Sequence, residues 1–357
     1  MGARKLSMLS KLKVIDLSTV LAGPSVGMFF AELGAEVIKI EHPTKKDVTR
    51  SWKLPTEDKN SPISAYFSSI NYNKKLVALD LSNSNDLEKL IELVKSADIL
   101  LSNFKFGDAE KFGITDKYLS SINPKLIIGK INGYGDDSPK VAYDLILQAE
   151  TGFMSMNGTP ESGPVKMPVA LIDVLAGHQL KEGILLALYE RETTGKGKSI
   201  SVSLYDTAIS SLMNQASNYL MNDHIPTRIG SLHPNIAPYG EIFNTKDGEL
   251  ITFAIGSETQ FHKLCEVLGI TELIEDERYN SNQNRVQNRT KLEVELRKKV
   301  LLIDSEILLK QLQKLNVPVG RINNLKTVFE NKNAQDLIRE ENIEGIQTKR
   351  VSSIAFK

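Results

Sequence analysis

Short apolar runs alternate with amphipathic stretches along the first half of the chain. Residues 12–17 (LKVIDL) form a compact apolar run that predicts a buried strand. A loop, STVLAGP, follows. Met28, Phe29, Phe30 and Leu33 then recur at helical spacing up to Gly34, and residues 36–41 (EVIKIE) read as a second strand. The same alternation returns. Residues 76–81 are strand-like, 86–94 helical and 97–101 strand-like; Leu119 and Ile122 lie on a helical segment before Pro124, and residues 126–131 form another buried strand. Strand, helix, strand in this rhythm implies a parallel sheet with helices on both faces, a doubly wound α/β domain. Ligands of such domains bind beyond the carboxyl ends of the strands, so the loops there are where chemistry is expected.

The pattern changes at residues 142–206. An apolar run, Val169-Ala170-Leu171-Ile172, leads to Asp173. Leu180, Ile184, Ala187 and Leu188 then share a helix face, a glycine stop (TGKG) follows, and residues 199–204 are strand-like. Ile209, Leu212, Met213 and Ala216 mark one more helix. Residues 222–238 are turn-rich. Residues 239–243 and 250–255 flank Lys246-Asp247-Gly248, a hairpin signal. Helical patterns over 258–268, about 286–300 and about 304–315 complete a smaller α+β domain. The predicted organisation is a large domain over 1–222, a linker over 223–238, a small domain over 239–316 and a return segment over 317–357.

Composition narrows this little. Of 357 residues, 44 are Lys or Arg and 44 Asp or Glu, a formal net charge of zero. Neither nucleic acid nor an anionic membrane is an expected partner, and any anion site must be a local cluster. The single cysteine, Cys265, excludes an intrachain disulfide and sits in a helical pattern as a packed core thiol. No apolar run reaches membrane-span length and no secretory signal is evident, so a cytoplasmic location is expected. The glycines Gly23, Gly27 and Gly34 do not form the dinucleotide fingerprint. Five histidines and one cysteine show no metal-ligand spacing, and no metal is expected.

Asp173 admits two readings. As a helix N-cap, its oxygens would accept the unpaired N–H groups of the first turn. As a catalytic group, it would be a carboxylate held still and kept ionised by the positive end of the helix, able to attack an acyl carbon. The surrounding motifs bear on the choice. YDLILQAETGFMSMNG, ALIDVLAG, ILLALYERETTGKGKSISVSLYD and the later HPNIAPYG resemble the class III CoA-transferases, a family that also contains the α-methylacyl-CoA racemases. The resemblance runs from about Lys11 to about Ile322, and the family's motif aspartate matches Asp173.

The resemblance implies a Rossmann-like CoA-binding domain in an interlocked homodimer. It also implies a transfer of CoA from an acyl-CoA to a carboxylic acid, with the acyl-CoA as substrate and no permanently bound cofactor. The implied CoA-binding positions are Val20, Leu21 and Ala22 after the first strand, Asn73, Lys74 and Lys75 in NYNKK, Asn103, Phe104 and Lys105 in NFKFG, and Lys111 and Lys140 beside these loops. The chain departs from the family in two of these segments: Tyr72 stands where arginine is frequent, and Lys105-Phe106 replaces Arg-Pro. The catalytic set is Asp173, Tyr143 and Glu258. Tyr143 stands where the racemases carry one of their two proton-transfer groups, a histidine; a phenol is a poor base at neutral pH, which argues against racemisation. Glu258 resembles an acidic position of the racemase branch and equally suits a helix N-terminal charge. The expected reaction is CoA transfer. The alternatives are α-methylacyl-CoA racemisation, and CoA binding without catalysis, with Asp173 only a cap.

Overall fold

The structure is a computed structural model and describes residues 8–356. Its contacts divide the chain into two units. The first holds the residues up to 156, 165–226 and those from 336; the second holds 157–164 and 227–335.

The first unit is built on six parallel strands: β1 (Lys13–Asp16), β2 (Glu36–Glu41), β3 (Lys75–Ala78), β4 (Ile99–Ser102), β5 (Ile127–Asn132) and β6 (Ser199–Ser203). Their order is β3-β2-β1-β4-β5-β6, with Val14 opposite Val37 on one side and Ile99 on the other. Both faces are covered, so the central strands are apolar on both sides: Val14, Ile15, Ile99 and Leu100 are buried. One cluster joins Val14 and Ile99 to Phe30, Leu180 and Ile184; another joins Ile15 and Leu100 to Ile40 and Leu90. The helices that matter below are α1 (Ala22–Glu32), α2 (Ser84–Lys95), α3 (Asp116–Ile122), α4 (Asp144–Glu150) and α5 (Leu171–Thr194). α5 ends at Gly195, whose φ of 68° is the left-handed cap that the glycine stop predicts.

Two features fix where a ligand can enter this unit. The strand order reverses between β1 and β4, opening a crevice between the loops that leave them. At Gly177, α5 also approaches the start of α1 closely. A Cβ there would lie 2.6 Å from Ser25 Oγ and 3.2 Å from the Ala22 carbonyl oxygen, so glycine lets the second turn of α5 meet the first turn of α1.

The second unit has a three-stranded antiparallel sheet, β7 (Tyr239–Asn244), β8 (Leu250–Ala254) and β9 (Val319–Arg321). It packs on α6 (Glu258–Leu268), α7 (Arg289–Val300) and α8 (Ser305–Lys314) through Phe243, Phe253, Phe261, Leu264 and Leu296. Cys265 belongs to this core, and burial pushes its thiol up to about 12.

This division differs from the sequence reading in two places. Residues 227–238 are not a free linker but part of the second unit: Ala237 is fully buried, and the His233 N–H donates to the Tyr239 carbonyl (3.0 Å). Residues 319–321, read as the start of the return segment, instead satisfy the open edge of β8.

The chain rejoins the first unit from residue 336, as a hairpin of β10 (Ile338–Ile343) and β11 (Ile346–Val351). Glu32 holds its far end, accepting from Arg350 and from the Ser353 N–H (2.9 Å) and hydroxyl (2.6 Å). Among the described residues no helix is long and apolar enough to cross a membrane.

Candidate active site

At the crevice between β1 and β4 lies a cavity of about 200 Å³. Its walls come from four segments: Thr19 to Ala22 after β1, Asn103 to Phe106 after β4, Ile131 to Gly133 at the end of β5, and Ser138 to Tyr143. Asp173, in the first turn of α5, and Leu204 complete it. A second hollow of about 620 Å³ shares Phe104, Lys105, Phe106, Asn132 and Ser138 as walls.

Asp173 is not the N-cap. The cap position of α5 is Ala170, which makes no side-chain cap bond, and Asp173 is the third helical residue. Asp144, at the start of α4, performs that duty from 28 residues away: its Oδ1 accepts the Ile172 N–H at 2.8 Å. Its Oδ2 accepts from the Gln148 amide at 2.6 Å, and Gln148 Oε1 accepts the Met167 N–H at 2.8 Å. The approach to α5 is thereby pinned onto α4, and the positive end of α5 is occupied by Asp144.

Asp173 is left with no hydrogen-bond partner among the described residues, although it is only 8% exposed. Burial, and then the charge of Asp144, push its pKa up to about 7. Desolvation thus works against the ionising effect expected of the helix end. A raised, unpaired carboxylate facing a cavity is the pattern expected of a reactive group rather than of a cap.

Of the other catalytic candidates, Tyr143 lines the cavity and is 54% exposed, at the N-cap of α4 without a side-chain cap bond. Glu258 lies in the second unit. Arg285 grips it twice (2.6 and 3.0 Å), the Asn282 N–H donates to it at 3.0 Å, and these contacts hold its carboxyl below the usual range. That is a structural ion pair at the start of α6, and a weak base.

The candidate CoA positions divide. Val20, Leu21, Ala22, Asn103, Phe104, Lys105 and Lys140 line the cavity. Asn103 staples two of its walls together, accepting the Thr19 N–H (2.9 Å) and donating to the Thr19 carbonyl (2.8 Å). Phe104 packs at a tilt against Phe112, ring centroids 5.9 Å apart. Lys140 pairs with Glu150 at 2.7 Å and lies over the Tyr134 ring.

Asn73, Lys74, Lys75 and Lys111 do not line it. Lys74 turns inward instead. Its fully buried ammonium donates to Asp16 Oδ2 (2.8 Å), the Pro24 carbonyl (2.8 Å) and Asn71 Oδ1 (3.0 Å). Lys74, expected among the CoA-binding positions, is thus held by protein partners in the interior. Asn73 sits at φ 56° with its N–H on Glu341 and its amide on the Ala31 carbonyl. Lys75 pairs with Glu36 at 2.6 Å, and the Lys111 ammonium lies 5.6 Å from the centre of the Phe112 ring.

The sequence reading passed over Asp144, as it did Tyr66. Burial and then the charges of Asp173, Asp144 and Asp47 push the Tyr66 phenol up to about 12, so it stays a proton donor within electrostatic reach of Asp173. Trp52 packs edge-on against it, ring centroids 5.2 Å apart. Nothing in the local pattern around Tyr66 marks it.

Comparison with known proteins bears directly on this arrangement. The chain is 37% identical over 327 residues to succinate–glutarate CoA-transferase of Agrobacterium fabrum, covering 90% of this chain and 81% of that one. It is 35% identical to acetyl-CoA:oxalate CoA-transferase of Acetobacter aceti, over 87% of this chain and 79% of that one. A solved CAIB/BAIF family protein from Brucella suis superposes with a TM-score of 0.83 at 36% identity, covering 98% of this chain and 92% of that one. A sequence profile for CoA-transferase family III matches residues 9–354, and the chain belongs to that family.

Proposed function

We propose that the protein transfers coenzyme A from an acyl-CoA to a carboxylic acid, with Asp173 as the nucleophile. The observation that carries this reading is the buried, unpartnered Asp173 carboxylate on the wall of the cavity. An Asp173 oxygen attacks the thioester carbonyl, the C–S bond breaks, and CoA thiolate leaves behind a mixed aspartyl–acyl anhydride. The thiolate attacks the aspartyl carbonyl and expels the donor acid, forming an aspartyl–CoA thioester. The acceptor carboxylate then attacks that carbonyl and releases the thiolate, which takes the acceptor acyl group and frees Asp173. Each intermediate is activated, so no step expels a poor leaving group. Tyr143, on the cavity wall, supplies an O–H donor for developing negative charge, and the Gly133 backbone borders the cavity.

The relatives' names guide the substrate panel: succinyl-CoA as first donor, and glutarate, oxalate and mesaconate as acceptors. We also propose a homodimer. α5 leaves Leu186 (69%) and Tyr189 (77%) exposed, and the helix Met213–Asn222 leaves Leu220 (78%) and Met221 (80%) exposed; a second copy would cover such apolar side chains.

The test is mass spectrometry after incubation with each acyl-CoA, with hydroxylamine trapping, in heavy water. A CoA thioester or hydroxamate at Asp173 is expected. Deuterium at the substrate α-carbon with no adduct would replace transfer by racemisation. Tight CoA binding with neither signal would leave a binding protein. If Asp173 must be ionised to attack, kcat/KM for the donor should climb tenfold per pH unit below about 7 and level off above it.

A further inference from the structure

One wall of the cavity is held in a conformation that its own sequence resists. Val20 has a φ of 73°, in the left-handed region where a β-branched side chain is strained. Such a residue persists only where its surroundings hold it. Its N–H donates to Asp47 Oδ2 at 3.2 Å. The same oxygen meets the Lys39 ammonium at 3.3 Å, and Lys39 also donates to the carbonyl of Ser18, two residues before Val20. Asp47 is itself fixed: its Oδ1 accepts from the Thr49 N–H (3.0 Å) and hydroxyl (2.7 Å), and its own N–H donates to Glu41 at 3.0 Å. Both charged side chains are fully buried, an arrangement too costly to expect without such bonds. Neither lines the cavity, whereas Val20 does.

We propose that Lys39 and Asp47 are positioning residues for acyl transfer: the buried pair clamps the backbone on either side of Thr19 and holds Val20 left-handed, fixing the wall against which the thioester meets Asp173. This rests on the transfer reaction proposed above.

Asp47→Asn tests it. Asparagine has one carbonyl oxygen and cannot accept from Thr49 and from Val20 together. Hydrogen exchange of residues 17–24 in the free protein should quicken by about tenfold or more once the clamp is gone. Transfer should slow by about tenfold or more, yet the same change made in a Val20→Gly background should cost less than about threefold, because glycine adopts positive φ unaided. A merely structural Asp47 would slow transfer by the same factor in both backgrounds. Equal losses, or unchanged exchange in Asp47→Asn, would overturn the proposal. Lys39→Gln, read in the same way, serves if Asp47→Asn does not fold. Should the unsubstituted protein form no Asp173 adduct, the transfer reaction fails, while the exchange comparison still decides whether the pair holds the wall.

Discussion

Asp173→Asn is expected to lose transfer by about 10⁴-fold or more, because it removes the proposed attacking group, and at the same time to gain stability. The sign follows from the protons bound. The folded protein holds the Asp173 proton up to about pH 7, whereas an unfolded chain releases it near the ordinary 3.8. Between those values the folded state binds more protons than the unfolded one, so stability falls as pH rises, and above about 7 the full penalty applies. Its size is at most about 4 kcal/mol. Asparagine carries no such penalty. The variant should therefore melt above the parent at pH 8, with the gap closing toward pH 4. Melting curves across that range, beside the transfer assay, check both halves. Transfer retained within about tenfold would remove Asp173 from the chemistry. A gap that does not change with pH would mean that the carboxylate is not strained by burial.

Lys74→Met is expected to lose roughly 3–5 kcal/mol of stability, because it strands Asp16 in the interior without its cation. Both side chains of this pair have zero exposure, so water cannot replace the missing contact. Denaturant melts measure the loss. Adding Asp16→Asn to the same protein should recover part of it, since the stranded charge is then gone. If stability held while CoA affinity fell, Lys74 would be a phosphate contact after all, and the inward geometry would not describe the working protein.

These two residues also mark how far the sequence could be read. The strands of the large sheet were legible because a strand covered on both faces is a continuous apolar run, as at Ile99-Leu100-Leu101. Asp173 was legible as a candidate, but its choice between cap and nucleophile was not. What rules out the cap is that Asp144 takes it, and that contact crosses 28 residues. The inward turn of Lys74 was not legible in its polar segment; its partner lies 58 residues upstream, across the sheet. Tyr66 carried no pattern of its own, and the hairpin over 338–351 is too polar on one face to stand out as paired strands. In each case the missing information was a contact distant in sequence, which periodicity cannot supply.

The interrupted course of the first unit has a consequence for how the protein is made. Glu32 is latched by Arg350, 318 residues later, so during synthesis the first unit waits for a closing segment that leaves the ribosome after the whole of 227–335. The second unit, whose residues are nearly contiguous, can be complete before then. The six-stranded sheet meanwhile stays without its last clasp, and contacts of such long sequence separation form slowly. The nascent chain is thus most open to proteases and to chaperones in this interval, and slower translation through 227–335 would lengthen it.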